Sequence, residues 1–273
     1  MNDDVKQHGF IEPDITPEDY VLGGTGNLGL EILQPDGQWD EFLPPDELQK
    51  LRGIETMSCV SFGTLNCIET LLKRKYEEDH NYSERYTAIL ADTSRNGTTP
   101  TKGAEAIRKK GVIPDDLLPF REVSSWRDYH SPNPMFSGYL ESGSKWLEKY
   151  DFKHEWVFTG GTLLEKQNKL KQALESSPLG ISVYAWVQNG EFYTKPEGVR
   201  DTHWTMMYGY VDGAYWKIYD SYDDTHKKLV WDFNFGYAKR YTIEKKESLA
   251  LKYVSGSWRD WWFINIIRKL IWG

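Results

Sequence analysis

After Pro178 the sequence changes its period, and that switch constrains the fold more than any other feature of the 273 residues. Before it, apolar positions recur at helical spacing. The stretch 59–72 holds no Pro and places Phe62, Leu65, Ile68, Leu71 and Leu72 on one face of a helix. Gly103–Gly111 reads as a short helix closed by Gly111, its basic last turn complementing the dipole. The segment 124–150 is mixed, with a helix through Lys145–Leu147, and 163–176 is amphipathic. Beyond Pro178, the runs 181–186, 203–210, 214–219, 229–231 and 239–243 are rich in β-branched and aromatic residues, as strands are. Asp212-Gly213 between two of them marks a hairpin. Helices first and strands second predict an α+β class with one lobe of each kind.

Three residues bridge this division. Cys59 opens the first helix, where the positive end of the macrodipole favours thiolate over thiol. His203 follows 144 residues later at the start of a strand, and Asp220 stands 17 residues further on, a separation that one hairpin returns. A thiolate, an imidazole and a group that orients the imidazole are the parts of an acyl-transfer site. Cys67 lies on the same helix, about 12 Å from Cys59 at 1.5 Å per residue. That is too far for a disulfide, so Cys67 reads as a small core residue. The other histidines, His8, His80, His130, His154 and His226, sit among polar residues and read as surface positions.

A net charge of −8 with no long basic block argues against a nucleic-acid partner. Two cysteines without a CxxC pair suggest neither zinc nor a redox couple, and they suit a reducing compartment. The acidic start lacks the features of a signal peptide, and no apolar run is long enough to span a bilayer. Gly24–Gly29 matches GxGxxG, but Pro35 stops any helix behind it and no βαβ unit follows, so a dinucleotide is not expected. Asp220, Asp223 and Asp224 lack the Gly and terminal Glu of a calcium loop. No metal and no cofactor are expected. Residues 1–48, broken by Pro13, Pro17, Pro35, Pro44 and Pro45, read as an irregular leader, 49–245 as the body, and 246–273 as a tail. Within 258–273, Phe263, Ile264, Ile266, Ile267, Leu270 and Ile271 share one helical arc opposite Asn265, Arg268 and Lys269. Such a helix packs on its own domain or a second copy, meets a protein partner, or lies on a membrane surface.

The order of several short motifs resembles the papain-like cysteine proteases. Cys59-Val60-Ser61-Phe62 is similar to the family's C-W-A-F, Tyr82–Tyr86 to L-S-E-Q, Ala91–Ser94 to V-D-C-S, and Asn96-Gly97-Thr98 to N-G-G. Lys110–Ile113 with Leu118–Phe120 is similar to Y-G-I…Y-P-Y, His203–Tyr210 to H-A-V-x-x-V-G-Y, and Tyr219–Tyr222 to K-N-S-W. The gap from Cys59 to His203 also falls in the range of about 130–150 residues given for that family. The resemblance implies a papain-like two-lobed fold with Cys59 on the central helix, and peptide-bond hydrolysis through Cys59, His203 and Asp220. It implies that Gly97 and Thr98 pair with substrate backbone and that Trp204 lines the main specificity pocket, where its bulk restricts large side chains. The family's disulfide cysteines are replaced by Thr56, Thr93 and Arg95, its Asn by Asp220, and its oxyanion Gln by Gly53. Gln49 takes that role if four extra residues bulge out, and Glu55 is the poorer candidate because an anion repels an oxyanion. Deamidation or transglutamination on the same three residues, or an inactive binding module, are the alternatives. A pattern without propeptide or disulfides is similar to papain-like proteins of bacteria and tailed phages, which implies a cytoplasmic or virion-associated protein.

Overall fold

Helix α1 (Cys59–Tyr76) runs through the middle of the molecule, and every residue from Cys59 to Leu72 is buried. The sequence predicts one buried face; the structure buries the polar positions Ser61, Thr64, Asn66, Glu69 and Thr70 as well. The reason is that α1 has neighbours on both sides. Helices α2 (Glu84–Leu90) and α3 (Pro100–Lys110) pack on one side and the main sheet on the other. The polar groups are satisfied locally: Thr70 donates to the Asn66 carbonyl at 2.7 Å, and Glu69 accepts the Tyr82 N–H at 2.8 Å. The two layers approach closely at Gly63, where a Cβ would come within 3.1 Å of the Thr205 backbone.

This computed structural model describes residues 8–16, 19–22, 28–29, 31–131, 136–222 and 225–246. The amphipathic segment 258–273, the glycines at 23–26 and Asp223 and Asp224 lie outside the described residues. Helices α4 (Trp126–His130) and α5 (Phe136–Lys149) complete the helical lobe. A small hairpin of β1 (Lys50–Leu51) and β2 (Ile54–Glu55) precedes α1. The large sheet contains β3 (Tyr150–Trp156), β4 (Leu179–Val183), β5 (Val187–Asn189), β6 (Phe192–Thr194), β7 (His203–Val211), β8 (Tyr215–Tyr219), β9 (His226–Val230) and β10 (Ala238–Lys245). Its order is β3-β10-β4-β7-β8-β9-β6-β5. All pairings are antiparallel except one parallel contact, Tyr193 with Leu229. Central β4 is buried throughout, its one polar side chain, Ser182, donating to Asp201 Oδ2 at 2.6 Å. Helix α6 (Leu163–Leu174) lies between β3 and β4 and starts with a capping box of Thr162 and Glu165.

Strand β3 follows α5 without a single intervening residue, so no turn residue marked it in the sequence. The described residues of 8–48 contain one 3-10 turn, Asp40–Phe42, and they are stitched into the body. Trp39 is wholly buried; its backbone N–H bonds the Tyr208 carbonyl at 2.9 Å and its indole N–H the Leu174 carbonyl at 2.8 Å. Among the described residues no helix is long and apolar enough to cross a membrane.

Candidate active site

Cys59 is the first residue of α1, as its sequence context predicts. Ser58 precedes it but does not cap the helix. Its hydroxyl bonds Thr56 Oγ1 at 2.5 Å and the Tyr129 hydroxyl at 3.1 Å instead. The N–H groups of the first turn are therefore not taken up by a cap side chain. The Cys59 sulfur accepts the backbone N–H of Trp204, the residue after His203, and also that of Val60. It thus lies against the start of β7. The expected thiolate character is not found. Burial pushes the Cys59 thiol well above its usual value, and the charges of Glu55 and Asp220 push the same way against the two N–H groups. Loss of water outweighs the helix start here.

His203 is the first residue of β7, and Asp220 directly follows β8. The antiparallel register of these strands, with Met206 opposite Tyr219, brings the two side chains together. His203 Nε2 lies 2.6 Å from Asp220 Oδ1, and both side chains are fully buried. Two further bonds fix the geometry: Thr205 Oγ1 to the Tyr219 carbonyl at 2.6 Å, and the Asp220 N–H to the Thr225 carbonyl at 2.7 Å. His203 Nδ1 is buried with no hydrogen-bond partner among the described residues. It is the ring nitrogen left to exchange a proton. Burial would raise the Asp220 carboxyl, but His203 and Lys227 overcome it and hold the group below the usual carboxylate range. Lys227 Nζ sits 2.9 Å from Asp220 Oδ2.

The extra residues between Gln49 and Cys59 form the β1–β2 hairpin. Its turn residues, Arg52 and Gly53, both have positive φ (53° and 80°), as a tight two-residue hairpin requires. Gln49 is buried beneath it. Its Nε2 donates to Glu55 Oε1 at 2.8 Å, to the Tyr222 hydroxyl at 3.0 Å and to the His8 carbonyl at 3.3 Å, while its Oε1 accepts from Ser221 at 2.8 Å. Tyr222 in turn donates to Glu55 Oε2. Glu55 is thus part of the site, close enough for its charge to act on Cys59.

Residues 8–11 lie against Thr98 and Trp204. The Thr98 N–H bonds the Gly9 carbonyl at 3.0 Å, and the Ile11 N–H bonds the Thr98 carbonyl at 2.9 Å, forming a parallel bridge of Phe10 with Thr98. Gly97 (φ 97°) passes so near that a Cβ on it would fall 1.8 Å from the Gly9 oxygen, which is why glycine stands there. Phe10 is 3% exposed and stacks on Trp204, with ring centroids 6.0 Å apart and planes 6° apart. His8 lies edge-on to His203 at 5.9 Å, and its Nδ1 is 3.0 Å from the Tyr222 hydroxyl. Trp204 has this chain's own Phe10 against its ring. Its indole is sunk beside Gly63 and Gly180, where a Cβ would come within 3.0 and 2.6 Å of it, and its face receives Phe10.

His8, Phe10, Tyr222 and Lys227 were not among the residues predicted from sequence. No local signal marks His8 or Phe10, which belong to an irregular segment. Lys227 had a weak one: on β9 it shares the inward face with Leu229, between the exposed His226 and the half-buried Lys228. The histidines expected at the surface also divide. The His154 side chain is 9% exposed and bonds Glu105, and His130, packed against Trp126 and Tyr129, is lowered to about 4 by burial.

No protein-family profile and no curated protein sequence matches the chain. Solved structures do. Xylellain, a cysteine protease from Xylella fastidiosa, aligns with a TM-score of 0.58 and 17% identity, over 89% of this chain and 97% of its own. Bromelain from Ananas comosus, solved in complex with the E64 inhibitor, aligns with a TM-score of 0.53 and 16% identity, over 76% and 98%. Digestive procathepsin L 3 of the Tenebrio molitor larval midgut gives 0.55 and 14%, over 75% and 68%. At these identities the likeness establishes the fold: the chain has the papain-like two-lobed α+β fold.

Proposed function

We propose that the chain is a cysteine peptidase whose resting form keeps residues 8–11 in its own cleft. The observation that carries the reading is the buried His203–Asp220 pair, 2.6 Å apart, at the strand end against which the Cys59 sulfur lies. In the proposed reaction Cys59 gives its proton to His203 Nδ1 and its sulfur attacks the peptide carbonyl. The Cys59 backbone N–H and Gln49 Nε2 stabilise the oxyanion. His203 then protonates the leaving amine and activates the water that hydrolyses the thioester, while Asp220 holds the ring. Gly97 and Thr98 pair with substrate backbone once the leader is displaced, and the Trp204 face takes an apolar side chain where Phe10 now lies.

The raised Cys59 thiol supports a resting form, since a displaced leader admits the water that burial excludes. A peptide carrying an electrophile should label Cys59 in the parent, more rapidly in a chain lacking residues 1–11, and not at all in Cys59→Ser or His203→Ala. Labelling followed by cleavage of unmodified peptides establishes the peptidase. Labelling with release of ammonia alone would instead identify a deamidase. Absence of labelling in both the full and the shortened chain would leave an inactive binding module.

A further inference from the structure

Lys227 has no part in the reaction as written above, yet it is among the most deeply placed cations of the described residues. Its side chain is 3% exposed. Nζ lies 2.9 Å from Asp220 Oδ2, 3.4 Å from the Tyr222 carbonyl, and 5.1 and 5.7 Å from the ring centroids of Trp186 and Tyr193. Those two rings pack edge to face, and Trp186 also lies edge-on to His203 at 5.8 Å. The ammonium and the imidazole therefore share one aromatic wall and one carboxylate, each on its own oxygen. Taking a lysine out of water costs several kcal/mol. A lysine needed only to anchor β9 could do so from the surface.

We propose that Lys227 is a positioning residue that sets the charge seen by His203: its ammonium offsets Asp220, so that the ring faces a neutral carboxylate–ammonium pair rather than a bare anion. A bare carboxylate within hydrogen-bond distance would favour the imidazolium strongly. The ring must also lose its proton to activate water, and an imidazole held permanently protonated could not. A neutral pair keeps the orienting hydrogen bond while leaving the proton exchangeable. Among the described residues, the other titratable groups around the ring are Cys59 from α1, His8 from the leader, and Tyr222 with the Glu55 it bonds. None of these changes in the variants below.

The proposal rests on the reading of His203 as the acid–base, but its test needs no turnover. The proton titration of His203 is followed by NMR in the full chain, its signal assigned against His203→Asn. Lys227→Met should raise the proton affinity of His203 at least tenfold, and Lys227→Arg should leave it within about threefold of the parent. The double variant Asp220→Asn/Lys227→Met, which removes both charges, should return close to the parent. Asp220→Asn alone, leaving the ammonium uncompensated, should lower the affinity. A folded Lys227→Met with an unmoved titration would overturn the proposal, as would a double variant that moves as far as the single one. If Lys227→Met does not fold, Asp220→Asn decides: a titration unchanged by that substitution overturns it as well. Should Cys59 prove unreactive in every variant, the peptidase reading fails while the His203 titrations still decide the role of Lys227.

Discussion

Asp220 in the sheet lobe and Glu84 in the helical lobe are almost equally buried, at 0% and 2% exposure, yet their protons go opposite ways. Asp220 meets His203 and Lys227 and is held below the usual carboxylate range. Glu84 meets Glu47 and Glu69, and burial followed by these like charges pushes it well above that range. Its Oε1 has no hydrogen-bond partner among the described residues. Depth is common to both sites, so depth does not decide ionisation; the neighbours do. Where an imidazole and an ammonium close on a carboxylate the fold favours the charged form. Where only acids gather it favours the protonated form.

The strongest way to break this comparison is Asp220→Ala. It leaves Lys227 buried without its carboxylate and should destabilise the chain by about 3–5 kcal/mol, measured by urea unfolding at pH 7. A loss below 1 kcal/mol would mean that the ammonium has another sufficient partner. Next in size is the cover over the cleft. Burial of a Phe side chain contributes about 1.5–3 kcal/mol, so Phe10→Ala should speed alkylation of Cys59 by about 10- to 100-fold. Cys67, raised by burial alone in the helical layer, should stay inert in the same sample. Equal acceleration of both thiols would point to general loosening instead of an opened cleft.

Glu84→Gln tests the other side. A carboxyl raised by folding contributes fully below its unfolded value and loses that contribution as pH rises through its folded one. The variant should therefore match the parent near pH 4 and exceed it by about 1–2 kcal/mol near pH 8, the cost of one poorly satisfied buried polar group. Asp220 has the reverse dependence. Its contribution is present above about pH 4 and lost as pH falls through the lower folded value. The smallest expected effect is at Glu55, whose charge acts on Cys59 from half-buried ground. Glu55→Gln should raise Cys59 alkylation at pH 7 about three- to tenfold; a slower reaction would show that its hydrogen bonds to Gln49 and Tyr222 matter more to the thiol than its charge.

Much of the site was readable before the fold because it follows local rules. A thiol at a helix start and an Asp one hairpin beyond a strand-borne His need only periodicity and turn chemistry to be placed. The bulge that a role for Gln49 requires is present as the β1–β2 hairpin, but the positive φ of Arg52 within it carries no sequence signal. What could not be read depends on distant chain. Phe10 reaches Trp204 across some 190 positions of sequence, and no period carries that information. Glu55 could be named, but the pull of its charge on Cys59 depends on the tertiary packing. The expected thiolate failed for the same reason: the helix start is local, but the leader and strands that dry the sulfur are not. Likewise, α1 looked amphipathic because its polar residues gave no hint that helices would cover them.

The β1–β2 hairpin has a practical consequence. Its turn residues Arg52 and Gly53 are exposed, a Cβ on Gly53 would touch nothing, and the strand pairs Lys50 with Glu55 and Leu51 with Ile54 close the loop beneath them. Chain added between those two residues leaves both strand ends where they are, since lengthening an already closed surface loop costs little. The turn is therefore a natural graft point. A short peptide tag or an environment-sensitive dye installed there would sit a few residues from both Gln49 and Cys59, and could report on the leader's departure without touching either.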